Sequence, residues 1–293
     1  MKIGFIGFGG AAYGLAKGLG QEGLTGMCYF DALWQKPPNS EVILRHAAET
    51  GAVFKESIRA LIEEVDIVIS CVTGSVALPV AEQSVAFLEK RHLFVDVNTA
   101  SPKTMEMVGD VIQKSDAGFV DVAMLGGIPA FLHRVPSLAS GNGAERFKTA
   151  MDPYGMDITY VGDAPGQASA IKMFRSVFMK GFLALLMEML NGTHRYNVDA
   201  VVLDSITKTM EKKDFLETVR MQMVKGVVNA ERMSHEMEEV IETYAEMGLP
   251  SVMSSATREK LKWCSKMNLA EHFGGDIPDS LEEVLDIMEE KSQ

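Results

Sequence analysis

The chain has 293 residues, 47% of them hydrophobic, and a net charge of −12 from 28 Lys and Arg against 40 Asp and Glu. That length suits one large or two ordinary domains with a well-buried core, and the negative balance argues against a nucleic-acid partner, which needs clustered cations to neutralise phosphates. No early stretch carries the basic flank, apolar run and cleavage site of a secretory signal, and no apolar segment is long enough to span a bilayer, so a soluble cytoplasmic protein with no membrane partner is expected.

The first predicted element is an apolar strand at 2–6, which runs through Gly7, Phe8, Gly9, Gly10, Ala11 and Ala12 into a helix over 13–21. Strand, glycine turn and helix in that order form a site for a dinucleotide pyrophosphate. Gly7 permits the tight turn, Gly9 lets the backbone approach the phosphates, and Ala12 keeps the helix close to its strand, so the free amides and positive end of the helix face the anion. The next strand, at 27–31, ends in Asp31, 24 positions after Gly7. An acid there accepts both ribose hydroxyls and repels a 2′-phosphate, which favours NAD; NADP stays possible if the loop 32–40 folds back and brings Lys36 or Arg45 to a 2′-phosphate.

Further strands are predicted at 53–54, 66–72, 93–97 and 118–123, separated by helices at 41–50, 57–63, 76–89 and 102–114, the alternation of a parallel sheet with crossovers. Short strands at 137–139 and 157–161 flank an amphipathic helix at 144–151. Beyond residue 165 the pattern is helical throughout, over 166–191, 199–210, 213–224, 228–247, 251–263 and 281–289. The fold class expected is therefore α/β: a Rossmann-type doubly wound parallel sheet over 1–163, followed by an all-helical second domain over 164–293. Cys28, Cys71 and Cys264 are widely separated and read as core thiols, while His194, His235 and His272 lack ligand spacing, so no metal is predicted. The 20 methionines read as a plastic helical core or a subunit interface.

Several segments together resemble the β-hydroxyacid dehydrogenase superfamily, which includes 3-hydroxyisobutyrate and 6-phosphogluconate dehydrogenases, over nearly the whole chain. Cys71-Val72-Thr73 matches its loop after the fourth strand. Asp96-Val-Asn98-Thr99-Ala-Ser-Pro102 matches its Asp-x-Ser-Thr-x-x-Pro segment. The resemblance implies that Val72, Thr73, Asn98 and Thr99 adjoin the cofactor. The substrate loop Asp-x-Pro-Val-Ser-Gly-Gly corresponds to Asp121-Val-Ala-Met-Leu125-Gly126-Gly127; Leu125 replaces the serine that would bind a carboxylate, while Gly126 and Gly127 still offer backbone donors.

The pattern Gly-x-Gly-x-x-x-Lys-x-x-x-Asn corresponds to Gly166, Ala168, Lys172 and Ser176. It implies that Lys172 is the general acid/base that exchanges a proton with the substrate oxygen during hydride transfer, and that Ser176 orients the substrate. Bordered by Ala170, Ile171, Met173 and Phe174, Lys172 is expected to be partly desolvated, an environment that favours proton transfer near neutral pH. Residues 172, 176 and 180 share one helix face, so Lys180 either adds a second charge for an anionic substrate or points to solvent. The run from Asn229 resembles a His-Ala-x-Arg-Arg-x-x-Glu-Met helix of a subgroup with a divergent C-terminal domain: Ala230, Arg232, Glu236 and Met237 match, Asn229 and Met233 do not. Arg232 either closes the site on a carboxylate or phosphate or simply pairs with Glu236 on an exposed face. The resemblance implies a homodimer packed through the helical domains and an NAD(P)-dependent oxidoreductase acting on a small hydroxy acid or related carbonyl compound. An imine reductase, similar in fold but with an acid or tyrosine in place of the lysine, and a non-catalytic nucleotide sensor remain open.

Overall fold

Runs of Ile, Val and Phe bounded by glycine and acidic turns form the strands, because branched and aromatic side chains pack well on a pleated surface that is covered on both faces. The computed structural model describes residues 1–292. The first half contains strands β1 (Ile3–Ile6), β2 (Cys28–Phe30), β3 (Val53–Phe54), β4 (Ile67–Ser70), β5 (Leu93–Asp96), β6 (Gly118–Met124), β7 (Ser137–Ser140) and β8 (Ile158–Gly162). Between them run helices α1 (Gly10–Gln21), α2 (Asn39–Thr50), α3 (Ile58–Ile62), α4 (Ala77–Ser84), α5 (Pro102–Ile112), α6 (Ile128–Phe131) and α7 (Ala144–Met151). The strands form one sheet in the order β3-β2-β1-β4-β5-β6-β7-β8. Residues 3–6, 67–70 and 93–96 are buried throughout.

Alternate residues feed two apolar layers, Ile67, Ile69, Leu93 and Val95 packing with Phe5, Leu15 and Leu19 on one face, and Val68 and Phe94 with Leu61, Ile62 and Met105 on the other. One strand pair departs from the expected parallel arrangement: β7 runs antiparallel to β6. The segment between them holds only the single-turn helix α6 and a 3-10 turn at Leu132–Arg134, too little to cross back over the sheet. The helix expected over 76–89 is shorter and flanked by 3-10 turns at Gly74–Val76 and Val85–Phe87; Ser84 ends it by donating its hydroxyl back to the Val80 carbonyl.

The long helix α8 spans Gln167–Tyr196, and it ends where Asn197 takes a left-handed conformation rather than near residue 191. The chain divides into two compact units, Met1–Val177 and Phe178 onward, whereas the sequence pattern places the boundary near 162–166. The difference has a physical cause: Ala168 donates its N–H to Ser140 Oγ and Ser169 donates to Asp121, so the first turns of α8 belong to the sheet unit.

The second unit contains α9 (Asp199–Met210), α10 (Phe215–Val228), α11 (Ala230–Glu246), α12 (Val252–Ser265), α13 (Leu269–His272) and α14 (Leu281–Lys291) around Val227, Ala230, Cys264, Met267, Leu269 and Val284. Only Asn229 separates α10 from α11, because its side-chain amide takes the Lys225 carbonyl and interrupts the helix there. No helix among the described residues is long and apolar enough to cross a membrane.

Candidate functional site

The carboxyl ends of five strands, β1, β2, β4, β5 and β6, open into a cleft of about 920 Å3. It lies where β1 is flanked by β2 on one side and β4 on the other, the switch point at which an open α/β sheet leaves a crevice. Gly7, Gly9, Gly10 and Ala11 line it from the first turn, Asp31 from the end of β2, Cys71, Val72 and Thr73 after β4, and Asn98 and Thr99 after β5.

Gly7 has φ +87°, and a Cβ on it would stand 2.4 Å from the Cys71 carbonyl oxygen. At Gly9 and Gly10 an added Cβ would meet nothing within 4 Å, so the glycines leave room that belongs to the cleft. Helix α1 begins at Gly10, three residues earlier than its pattern suggests, and carries no acid in its first turn. Its opening amides therefore present a positive end with no competing carboxylate, as a bound pyrophosphate requires. Phe8 and Ala12 do not line the cleft. The Phe8 ring is fully buried and stacked on Tyr29 at 4.5 Å, and Ala12 is fully buried under the sheet.

Asp31 is buried at 9% exposure; its Oδ2 accepts the Phe8 N–H and its Oδ1 the Leu33 N–H, both at 2.8 Å. Each oxygen keeps a second lone pair for a ribose hydroxyl. Asp31 is also the sole charged residue lining the cleft among those described, and neither Lys36 nor Arg45 lines it. Around it Leu33, Ile58, Val76, Pro79 and Val80 form apolar walls of a kind that accept a flat heterocycle, residues with no motif to mark them in the sequence. Cys71 forms part of the floor; burial pushes its thiol up to about 12, so it stays protonated and acts as an apolar wall.

Asn98 lines the cleft, yet its polar atoms all serve the protein. Its Oδ1 accepts the Val72 N–H at 2.6 Å, and its Nδ2 donates to Ser70 Oγ and Asp96 Oδ2, each at 2.9 Å. It holds the two loops together and leaves Thr99 to face the cleft. Lys172, half-buried on α8, donates to Thr99 Oγ1 at 3.0 Å, which brings the ammonium to the cleft rim beside the β5 end. Of the apolar residues that flank it, Ala170 and Met173 are half-buried, whereas Ile171 is 42% and Phe174 73% exposed. Ser176 is half-buried one turn further along. Gly126 and Gly127 are exposed after β6 and do not line the cleft; the Gly127 carbonyl accepts the Ala130 N–H in the tight turn of α6. Lys180 and Arg232 belong to the second unit, Lys180 exposed and Arg232 paired with Glu236 four residues on.

Beneath the cleft Asp96 and Asp121 are both fully buried. Burial pushes Asp96 up to about 7 and raises Asp121 as well. A carboxyl whose pKa is higher folded than unfolded binds its proton more tightly in the native state, so this contribution to stability is complete below the ordinary carboxylate range and is lost as pH rises through about 7. The urea midpoint of Asp96→Asn is therefore expected to fall less between pH 4 and pH 8 than that of the wild type. Equal slopes in the two proteins would contradict this.

A turn built for pyrophosphate, an acid at the end of β2 and a cleft at the switch point define a dinucleotide-binding protein of Rossmann type. Residues 2–162 match the family described as the NAD binding domain of 6-phosphogluconate dehydrogenase, and the chain belongs to it. Residues 193–264 match a domain of unknown function, DUF1932. The conserved protein MTH1747, whose structure was described as similar to 3-hydroxyacid dehydrogenases, is 32% identical over 92% of this chain and 98% of its own, with a TM-score of 0.63. A 28.5 kDa protein of Methanothermus fervidus encoded in the 7S RNA 5′ region is 27% identical over 89% of this chain and 98% of its own. An imine reductase from Myxococcus stipitatus, solved with NADP+, shares the fold at a TM-score of 0.72 over 98% of this chain and 100% of its own, with 15% identity.

Proposed function

We propose that this protein is an NAD-dependent oxidoreductase that interconverts a small hydroxy acid, or a related hydroxy compound, with its carbonyl form, and that Lys172 moves the proton. The observation that carries this reading is the 3.0 Å contact of Lys172 Nζ with Thr99 Oγ1 on the cleft rim. A nicotinamide bound in the cleft supplies or accepts the hydride. Thr99 accepts from the ammonium and so orients it at the cleft rim. Lys172 then donates a hydrogen bond to a carbonyl oxygen and passes it the proton as negative charge develops; in the opposite direction its neutral amine takes the hydroxyl proton. Ser176 is assigned to orient the substrate, and the backbone of Gly126 and Gly127 to bind its anionic group, roles argued from the family resemblance.

Titration of nicotinamide fluorescence with NADH and NADPH, followed by turnover of hydroxy acids and phosphorylated sugar acids with NAD+ or NADP+ and of cyclic imines with NADH or NADPH, tests the assignment. Tighter NADH binding with oxidation of a hydroxy acid is expected. Turnover of imines alone would favour an imine reductase, binding without turnover a sensor, and failure to bind either nucleotide would remove the whole reading. Asp31→Asn keeps an acceptor oxygen but loses the charge, so its NADH affinity is expected to fall about 10-fold, the loss of a charged hydrogen bond, while NADPH affinity changes little. An equal loss for both nucleotides would remove Asp31 as the discriminating residue.

We further propose a homodimer. In the second unit Phe178, Phe182, Leu183 and Met187 of α8 are each at least 45% exposed, and Phe178 contacts the rings of Phe182 and Phe215 at 5.9 and 5.6 Å. An apolar patch of this kind is what a second copy covers. Light scattering is expected to give twice the chain mass for the wild type and the chain mass for Leu183→Asp; a monomeric wild type refutes the dimer.

A further inference from the structure

The two carboxylates beneath the cleft face each other across the sheet: Asp96, the last residue of β5, is register-paired with Asp121 of β6. Register-paired residues on adjacent strands project to the same face. Two acids buried side by side are costly unless each is well hydrogen-bonded, and here each one holds a different half of the site. Asp121 Oδ1 accepts the Ser169 hydroxyl at 2.8 Å and its Oδ2 the Ser169 N–H at 3.0 Å, while the Ser140 hydroxyl bridges Asp121 Oδ2 and the Ala168 N–H. Asp96 Oδ1 accepts the Asn98 N–H and its Oδ2 the Asn98 side-chain amide, so both backbone and side chain are locked one residue before Thr99.

We propose that Asp96 and Asp121 are the positioning pair of the Lys172–Thr99 contact: Asp121 sets the helix that carries the lysine, and Asp96, through Asn98, sets the loop that carries the threonine. Ser169 lies three residues before Lys172, one turn away on the same face, so fixing its N–H and hydroxyl fixes both the rotation and the height of the lysine. A slip of a single residue would move Lys172 by about 1.5 Å along the axis and turn it by about 100°, breaking the contact with Thr99. The functional meaning of this arrangement rests on the reading of Lys172 as the proton-exchanging group, but the positioning itself can be measured without turnover.

The measurement is the titration of the Lys172 resonance in protein labelled with ε-13C lysine, assigned by its loss in Lys172→Arg. Ser169→Ala, Asp121→Asn and Asp96→Asn are compared with the wild type, each checked for its melting temperature and NADH affinity. The Lys172 midpoint is expected to move by about 0.5 pH unit or more in all three, with other lysine resonances unmoved and, in Ser169→Ala and Asp121→Asn, NADH affinity within about threefold of the wild type. Ser169→Ala keeps both carboxylates, so a shift there reports position rather than lost charge, and it is the mildest of the three should the others fold poorly. An unmoved Lys172 resonance in folded Ser169→Ala and Asp121→Asn overturns the proposal. If the resonance moves but Lys172→Ala turns over normally, the positioning stands and the proton-exchange role of Lys172 falls.

Discussion

Lys172→Met is expected to lower turnover by about 10²–10⁴-fold, the range for loss of a positioned general acid or base, with NADH affinity nearly unchanged. Methionine keeps the length and apolar stem of lysine, so packing on α8 is preserved while the proton donor is removed. The cleft is lined by the β1–α1 turn, Asp31 and the loops after β4 and β5, and Lys172, which is not among its lining residues, donates to Thr99 on its rim. Steady-state kinetics with the substrate found by the panel, paired with NADH titration, provides the test. A comparable loss of NADH affinity would make Lys172 a binding residue; unchanged turnover would leave the chemistry to another group.

Gly7→Ala and Gly9→Val are expected to fail in opposite ways. At Gly7 the added methyl meets the Cys71 carbonyl at 2.4 Å in a left-handed backbone conformation, so both strain and overlap oppose it. The expected loss is about 2–4 kcal/mol of stability, read by urea unfolding, from a conformation unfavourable to L residues and an overfilled core. At Gly9 a larger side chain meets open cleft, so stability should change little while NADH binding weakens at least about 10-fold, because the phosphates lose their close approach to the backbone. A stable Gly7→Ala would contradict the strain assigned to the turn, and a Gly9→Val that binds NADH normally would show that the turn does not hold pyrophosphate.

The β1–α1 turn and the sheet were legible in the sequence because they are local. Gly7, Gly9 and Ala12 sit within one short turn, and each buried strand is a contiguous apolar run. Gly10, Ala11 and Ala12 have the composition of a turn, so the pattern starts the helix three residues late, whereas α1 opens on them. The resemblance implies a place for Asn98 beside the cofactor, and Asn98 lines the cleft. That its amide is spent on Val72, Ser70 and Asp96 depends on the spacing of two neighbouring strands, which no local pattern encodes. Likewise the antiparallel turn of β7 followed from a connection too short to carry a crossover helix.

The strand–turn–helix opening, the acid at the end of β2, the alternating first half and the helical second half are all readable from the chain alone, since each is carried by the period and type of adjacent residues. That Lys172 meets Thr99, 73 residues away, and that Asp121 grips Ser169, 48 residues away, emerges solely from the folded arrangement. Those contacts arise from strand order and register, which bring β5, β6 and the start of α8 together, and nothing in the residues between them records that meeting.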